Sequence, residues 1–426
     1  GTNVTLGGNV TANNTLAVTG GNVTANANIT STNGSVSLAG NTTNVTGGYV
    51  TTGANGTSTI GSANGTTSVS NVALNGGNAT LTGSNVSTSG NVSLNATTAS
   101  VNGTNVMLGG NVTANNTLNV AGNSVISNAN LTSTNGNVTL SGNTTSVTGG
   151  SITTSANGTS TIGSANGTTS VSNVTVNGGN ATLTGGNVST SGNVSLNTTN
   201  TSVNGTNVSL GGNVTANNTL NVTGGNVTSS ANLTSTNGNV SLVGNTTSVT
   251  GGSITTGTNG SSTIGSANGT TSVSNVTVSG GNATLTGNNV STSGNISLDV
   301  TSSTVNGTNV TLSGNVTANN TLAVTGGNVT ANANITSTNG NVSLAGNTTS
   351  VTGGSVTTSA NGSSTIGSAN GTTSVSNVTV SGGNATLTGG NVSTSGNLTL
   401  NTTNSSVNGT NVTLGGNVTA NNTLAV

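Results

Sequence analysis

Along the whole chain, small aliphatic residues return at every second position in short runs, with a polar residue between them. "NVSLAG", "NVTL", "NATLTG" and "TLNV" each place two such residues at i and i+2. That spacing predicts strands with one dry face and one wet face. The runs are about four to six residues long and end at Gly-Gly, Asn-Gly, Gly-Asn or Ser-Gly, which are turn signals. Helix is disfavoured because β-branched residues and glycines dominate, while Glu, Lys, Gln and Arg are absent. So low a complexity could also mean a chain too poor in hydrophobes to order itself, but the regular placement of Val, Leu, Ala and Ile argues for strands.

A long period sits over the short one. "GTNV" recurs at Gly1, Gly103, Gly205, Gly307 and Gly409, which defines repeats 1–102, 103–204, 205–306 and 307–408 and a partial repeat 409–426. The last eighteen residues, "GTNVTLGGNVTANNTLAV", match the first eighteen letter for letter. Within the first repeat a finer unit appears, beginning at Asn3, Asn22, Thr42, Gly65 and Asn85, with lengths of 19, 20, 23, 20 and 20 residues. Each unit holds three short strands separated by turns.

Self-similarity near 20 residues with three strands per unit predicts an all-β fold, a parallel β-helix or β-solenoid, with five coils per 102-residue repeat. Residues 1–426 are expected to form one continuous solenoid, since no Pro-rich or charged linker interrupts the composition. Its bore would be filled by small side chains such as Val23, Ile29, Val36 and Leu38, with Gly, Asn and Ser at the corners. Coils about 4.8 Å apart would give, for roughly 21 coils, a rod on the order of 100 Å. A right-handed coil follows from the preference of parallel crossovers. Antiparallel sandwich modules are the alternative fold.

Composition then narrows the chemistry. The 426 residues include no Lys, Arg, His, Cys, Pro, Trp or Phe, one acid, Asp299, one tyrosine, Tyr49, and 69 glycines. Acid–base catalysis, nucleophile activation and metal ligation need groups that are almost entirely missing, so the sequence predicts no enzyme, no cofactor and no metal site. Nucleic-acid binding needs cations or aromatic rings, and attachment to anionic lipid needs a polybasic patch. No apolar run is long enough for a membrane helix, so no membrane insertion is expected in this segment. The chain starts and stops within the repeat pattern and reads as a segment of something longer.

Recurrent "GNVTL", "GGNVT", "NLTSTNGNVSL" and "STSGNVSL" resemble the haemagglutination-type repeats of filamentous-haemagglutinin-like adhesins, the large two-partner-secretion exoproteins of Gram-negative bacteria. The resemblance runs over the whole chain. It implies a right-handed β-helix at a bacterial cell surface, acting as a fibre or stalk that carries binding regions elsewhere.

Most asparagines of the first repeat stand in Asn-X-Ser/Thr triplets, among them Asn3, Asn9, Asn22, Asn28 and Asn41, which makes these candidate N-glycosylation sites. Strand alternation alone also produces Asn-Val-Thr, with Val inward and its neighbours outward. Stacked asparagines only about 4.8 Å apart leave no room for branched glycans at every site. Covalent glycans would help disperse a rod of formal net charge −1. Thr-X-Thr pairs such as Thr57 and Thr59 suggest an ice-binding array as a minor reading. Asp299 stands where other repeats have Asn95, Asn197 and Asn401; Tyr49 aligns with Ser151, and Met107 with Thr5. Asp299 reads as Asn-to-Asp drift, and Tyr49 and Met107 read as outward-facing residues without a site.

The leading expectation is therefore the shaft of an extracellular fibre, its length set by repeat number and its wall free of trypsin sites. An adhesin recognising carbohydrate or a neighbouring cell through polar lateral faces is the alternative. Self-association into a fibre is the expected partnership.

Overall fold

The structure is a computed structural model that describes all residues, 1–426. It is all-β without a helix, and its strands pair in parallel as a β-solenoid with coils of roughly 20 residues. The chain divides into two compact units, Gly1–Asn207 with Gly211–Asn217, and Val208–Leu210 with Asn218–Val426.

In the first unit each coil presents three faces. The first face carries short strands such as Val10–Ala12, Ile29–Ser31 and Val112–Ala114. The second and third faces share longer strands, such as Leu16–Ala25 and Val36–Thr46, that bend between the faces. Val72–Thr88 and Val92–Leu108 run through all three faces of their coils. Register climbs steadily. Asn3 pairs with Asn22, Asn22 with Thr42, Thr42 with Thr66, Thr66 with Asn85 and Asn85 with Asn105, so five steps carry one "GTNV" to the next. The second unit has the same ladder: Asn226 to Thr246, Thr270, Asn289, Asn309 and Asn328.

The bend between second and third faces is a file of glycines, in which Gly83 pairs with Gly103, and Gly103 with Gly122. A Cβ on Gly103 would lie 2.7 Å from the Gly83 carbonyl oxygen, and one on Gly122 would lie 2.6 Å from that of Gly103. Only glycine lets successive coils close on each other at this corner.

The bore is built as the alternation requires. Val23, Ile29, Val36 and Leu38 are buried; Leu74 and Leu94 continue the column above Ile29, and Leu81 the column above Leu38. Burial of these side chains contributes about 1.5–3 kcal/mol each relative to exposure. Tyr49 and Met107 point outward, 44% and 53% exposed. The sequence reading placed hydroxyls outside, and here the bore differs: Thr43, Ser58 and Thr67 of the first repeat are buried. Each shares the alternation of an aliphatic neighbour two residues on, Val45, Ile60 and Val69 respectively. The Thr67 hydroxyl donates to the Thr82 carbonyl at 2.7 Å. The hydroxyls of Thr43 and Ser58 have no partner, and the same holds at Thr145 and Ser160, Thr247 and Ser262, and Thr349 and Ser364.

These two classes of buried hydroxyl should respond oppositely to removal. Thr43→Val keeps the shape and deletes an unpaired polar group, so it is expected to raise stability by about 1 kcal/mol, whereas Thr67→Val deletes a made hydrogen bond and should cost about 1 kcal/mol. The guanidinium midpoint of each variant of the full chain checks both signs.

Candidate functional site

In coils such as those of Asn91 and Asn111 the first face has one outward residue between two asparagine rails. The sequence pattern is Asn-Φ-Thr/Ser-Φ-Asn, as in Asn91-Val92-Ser93-Leu94-Asn95 and Asn111-Val112-Thr113-Ala114-Asn115, where Φ is an inward aliphatic. Val92 and Val112 are buried while Asn91 and Asn111 are exposed, so the rails stand above a floor of small hydroxyls.

The corner before this face sets the rail. Asn71 has φ 54°, in the left-handed region that asparagine tolerates better than most residues, and Asn173, Asn275 and Asn377 repeat it at φ 54–56°. The Asn71 side-chain oxygen accepts the backbone N–H of Asn91 at 3.2 Å, which fastens one coil's corner to the next. Asn173 and Asn193 do the same at 3.2 Å, Asn275 and Asn295 at 3.1 Å, and Asn377 and Asn397 at 3.2 Å.

Beside each of the corners at Asn71, Asn173 and Asn275 lies an open groove. In the first unit one groove, of about 580 Å³, is lined by Gly48, Asn71, Ala73, Asn91, Ser93 and Thr113 among others. A second, of about 490 Å³, has Asn173, Thr175, Asn193, Ser195, Asn213 and Thr215 at the corresponding positions. In the second unit the groove of about 530 Å³ has Asn275, Thr277, Asn295, Ser297, Asn315 and Thr317. Apart from Ala73, every lining side chain that faces solvent is an amide or a hydroxyl. An adjoining hollow of about 280 Å³ shares Thr277, Ser297 and Thr317 and adds Asp299 and Asn319. Asp299 is thus in register with Ser279 below it, where Asn95 and Asn197 each have an asparagine.

Such a groove offers hydrogen bonds to a neutral ligand and little else. It holds no general base or nucleophile pair, and no group of His, Cys, Asp or Glu could hold a metal ion. No helix is long and apolar enough to cross a membrane. The sequence reading did not single out Asn71, Asn91, Asn111, Ser93 or Thr113. Their signal was the return of "SNV" at the same place in every repeat, but concavity is a property of the corner conformation.

The candidate sequons fall into three settings. Asn3 and Asn22 are in register, and the Asn22 amide nitrogen donates to the Asn3 side-chain oxygen at 2.8 Å. Equivalent amide ladders join Asn85 to Asn105 at 2.9 Å and Asn289 to Asn309 to Asn328 at 2.9 and 2.8 Å. The Asn9 side chain accepts the N–H of Asn28 at 3.2 Å, and the Asn28 side chain accepts the N–H of Tyr49 at 3.1 Å. Asn41 is exposed at the bend. Thr59 lies on an outward file of the second face with Thr80, Ser100 and Asn119, so the hydroxyl array is broken by an amide.

No protein-family model, curated protein or solved structure matches the chain.

The amide ladders are self-complementary because an amide both donates and accepts, which a carboxylate does not. Introducing Asn289→Asp together with Asn309→Asp sets two carboxylates face to face, raising the pair's native pKa above the unfolded value near 3.9. Stability should then be retained below about pH 4 and lost as pH rises through the raised native value, by about 1 kcal/mol at pH 7. Denaturation midpoints at pH 3 and pH 7, compared with the unaltered chain, check the sign.

Proposed function

We propose that this chain is a length-setting, non-enzymatic segment of an extracellular or cell-surface fibre, in the manner of the shaft regions of filamentous-haemagglutinin-like adhesins. The observation that carries this reading is the in-register climb of the repeat, five coils from Asn3 to Asn105 and five from Asn226 to Asn328. Because every repeat presents the same stacking surfaces above and below, repeats add without new packing problems, as in other quasi-one-dimensional proteins. The coils are right-handed in this proposal, following the general preference of parallel crossovers. Absence of Lys and Arg throughout removes trypsin-type cleavage sites from a shaft exposed to proteases.

Inserting one further copy of residues 103–204 is the direct test. A shaft should lengthen by about 24 Å per added repeat, five coils at about 4.8 Å each. Small-angle scattering or electron microscopy of the two lengths reads this increment; an increase in width, or separate beads, would sink the proposal.

A second reading rests on the recurrent grooves. Lined by amides and hydroxyls and recurring in three successive repeats, they suit a neutral carbohydrate bound weakly at each site and held by repetition. A carbohydrate array probed with the full chain should give a saturable ligand if adhesion is the function, and Ser195→Trp with Ser297→Trp, which fill two grooves, should weaken it. A pure shaft gives no saturable signal.

A further inference from the structure

The coil that follows Asn41 differs from its neighbours by carrying two protruding turns, and both end in Asn-Gly-Thr. In the first, Gly53-Ala54-Asn55-Gly56, the Gly56 N–H donates to the Gly53 carbonyl at 2.8 Å. In the second, Ser62-Ala63-Asn64-Gly65, the Gly65 N–H donates to the Ser62 carbonyl, also at 2.8 Å. The other three repeats keep both turns and both triplets, as Asn-Gly-Thr or Asn-Gly-Ser. Every one of these tip asparagines is exposed, and none has a side-chain hydrogen bond.

The neighbouring coils explain why the first tip stands clear. Above it lies Gly77, where a Cβ would come within 2.8 Å of the Ala54 carbonyl oxygen and 2.9 Å of that of Gly56. Gly179, Gly281 and Gly383 lie equally close against the corresponding turns, and Gly56 itself is pressed on the Gly34 carbonyl from below. Glycine is thus kept above and below the turn, and no neighbouring side chain covers Asn55. The ladder asparagines are the opposite case. Above the lowest rung of each ladder the attachment atom, Nδ2, is already donating, as Asn22 does to Asn3 and Asn309 to Asn289, and the next amide lies one coil away.

We propose that the tip asparagines, Asn55, Asn64 and their counterparts in the other repeats, are the N-glycan acceptor sites of the folded protein, in preference to the ladder asparagines. The transfer joins Asn Nδ2 to the anomeric carbon of a nucleoside-diphosphate hexose. The anomeric C–O bond breaks with its electron pair leaving on the nucleoside diphosphate, and the amide proton passes to a base of the transferase. Room is available: tips of one coil are separated by the strand Thr57–Ile60, and equivalent tips within a unit are five coils, about 24 Å, apart. Acceptor competence depends on corner geometry alone and stands or falls separately from the shaft reading.

The test uses the purified, unmodified 426-residue protein, UDP-glucose, and a soluble transferase chosen because it modifies two synthetic peptides, one spanning Asn22 and one spanning Asn55, at similar rates. On the folded protein, intact mass and peptide mapping after nonspecific proteolysis should place hexoses at the tips. Modification of Asn22 and Asn309 should be at least about tenfold slower, the factor for unmaking one ladder hydrogen bond of about 1.4 kcal/mol. Asn55→Gln with Asn64→Gln should remove two hexoses from the total. Equal rates at ladder and tip sites, or untouched tips, would overturn the proposal.

Discussion

Everything in this fold follows from parallel, in-register hydrogen bonding of each coil to the one beneath it. That ladder fixes the rise at about 4.8 Å and lets no coil choose its own register, because slipping by one residue would turn its aliphatic side chains outward. Side chains on the paired strands therefore have neighbours directly above and below, and residue types that cannot tolerate those neighbours are excluded there. The bore is narrow, so Val, Leu, Ile and Ala fill it, with Leu74 paired to Leu94 and Val106 to Val125 in continuous columns. The corner between the second and third faces folds back without side chains between coils, which is why glycines meet glycines at Gly83 and Gly103.

Much of this was legible in the sequence. Alternation identified the inward residues Val23, Ile29, Val36 and Leu38, and the period near 20 residues identified the coils. Hydroxyls in the bore were less visible, because Thr43 and Ser58 look like ordinary wet-face residues unless the parity of Val45 and Ile60 is carried back to them. Grooves were invisible for a different reason. The left-handed turn at Asn71 and the oxygen it offers to Asn91 are conformational facts, and no residue count distinguishes that asparagine from those in flat ladders. The sequons were visible, but their division into tips and ladders required knowing which amide nitrogens were already engaged.

The near absence of charge has the same root as the ladder. A tandem repeat stacked in parallel brings like residues together, so a charge at any outward position tends to meet its own kind one coil away. Two unit charges 4.8 Å apart repel by about 1 kcal/mol in water and about 3 kcal/mol near a protein surface, and the penalty recurs with every stacked pair. An asparagine in the same place is neutral and bonds its copy, as Asn309 does with both Asn289 and Asn328. Asp299 is the exception that fits. The residue in register beneath it is Ser279, a neutral hydroxyl, as Ser381 is beneath Asn401, whereas amides, Asn75 and Asn177, lie beneath Asn95 and Asn197. A carboxylate is thus accommodated where no second carboxylate faces it, and amide ladders elsewhere supply the cohesion that ion pairs cannot give to identical neighbours.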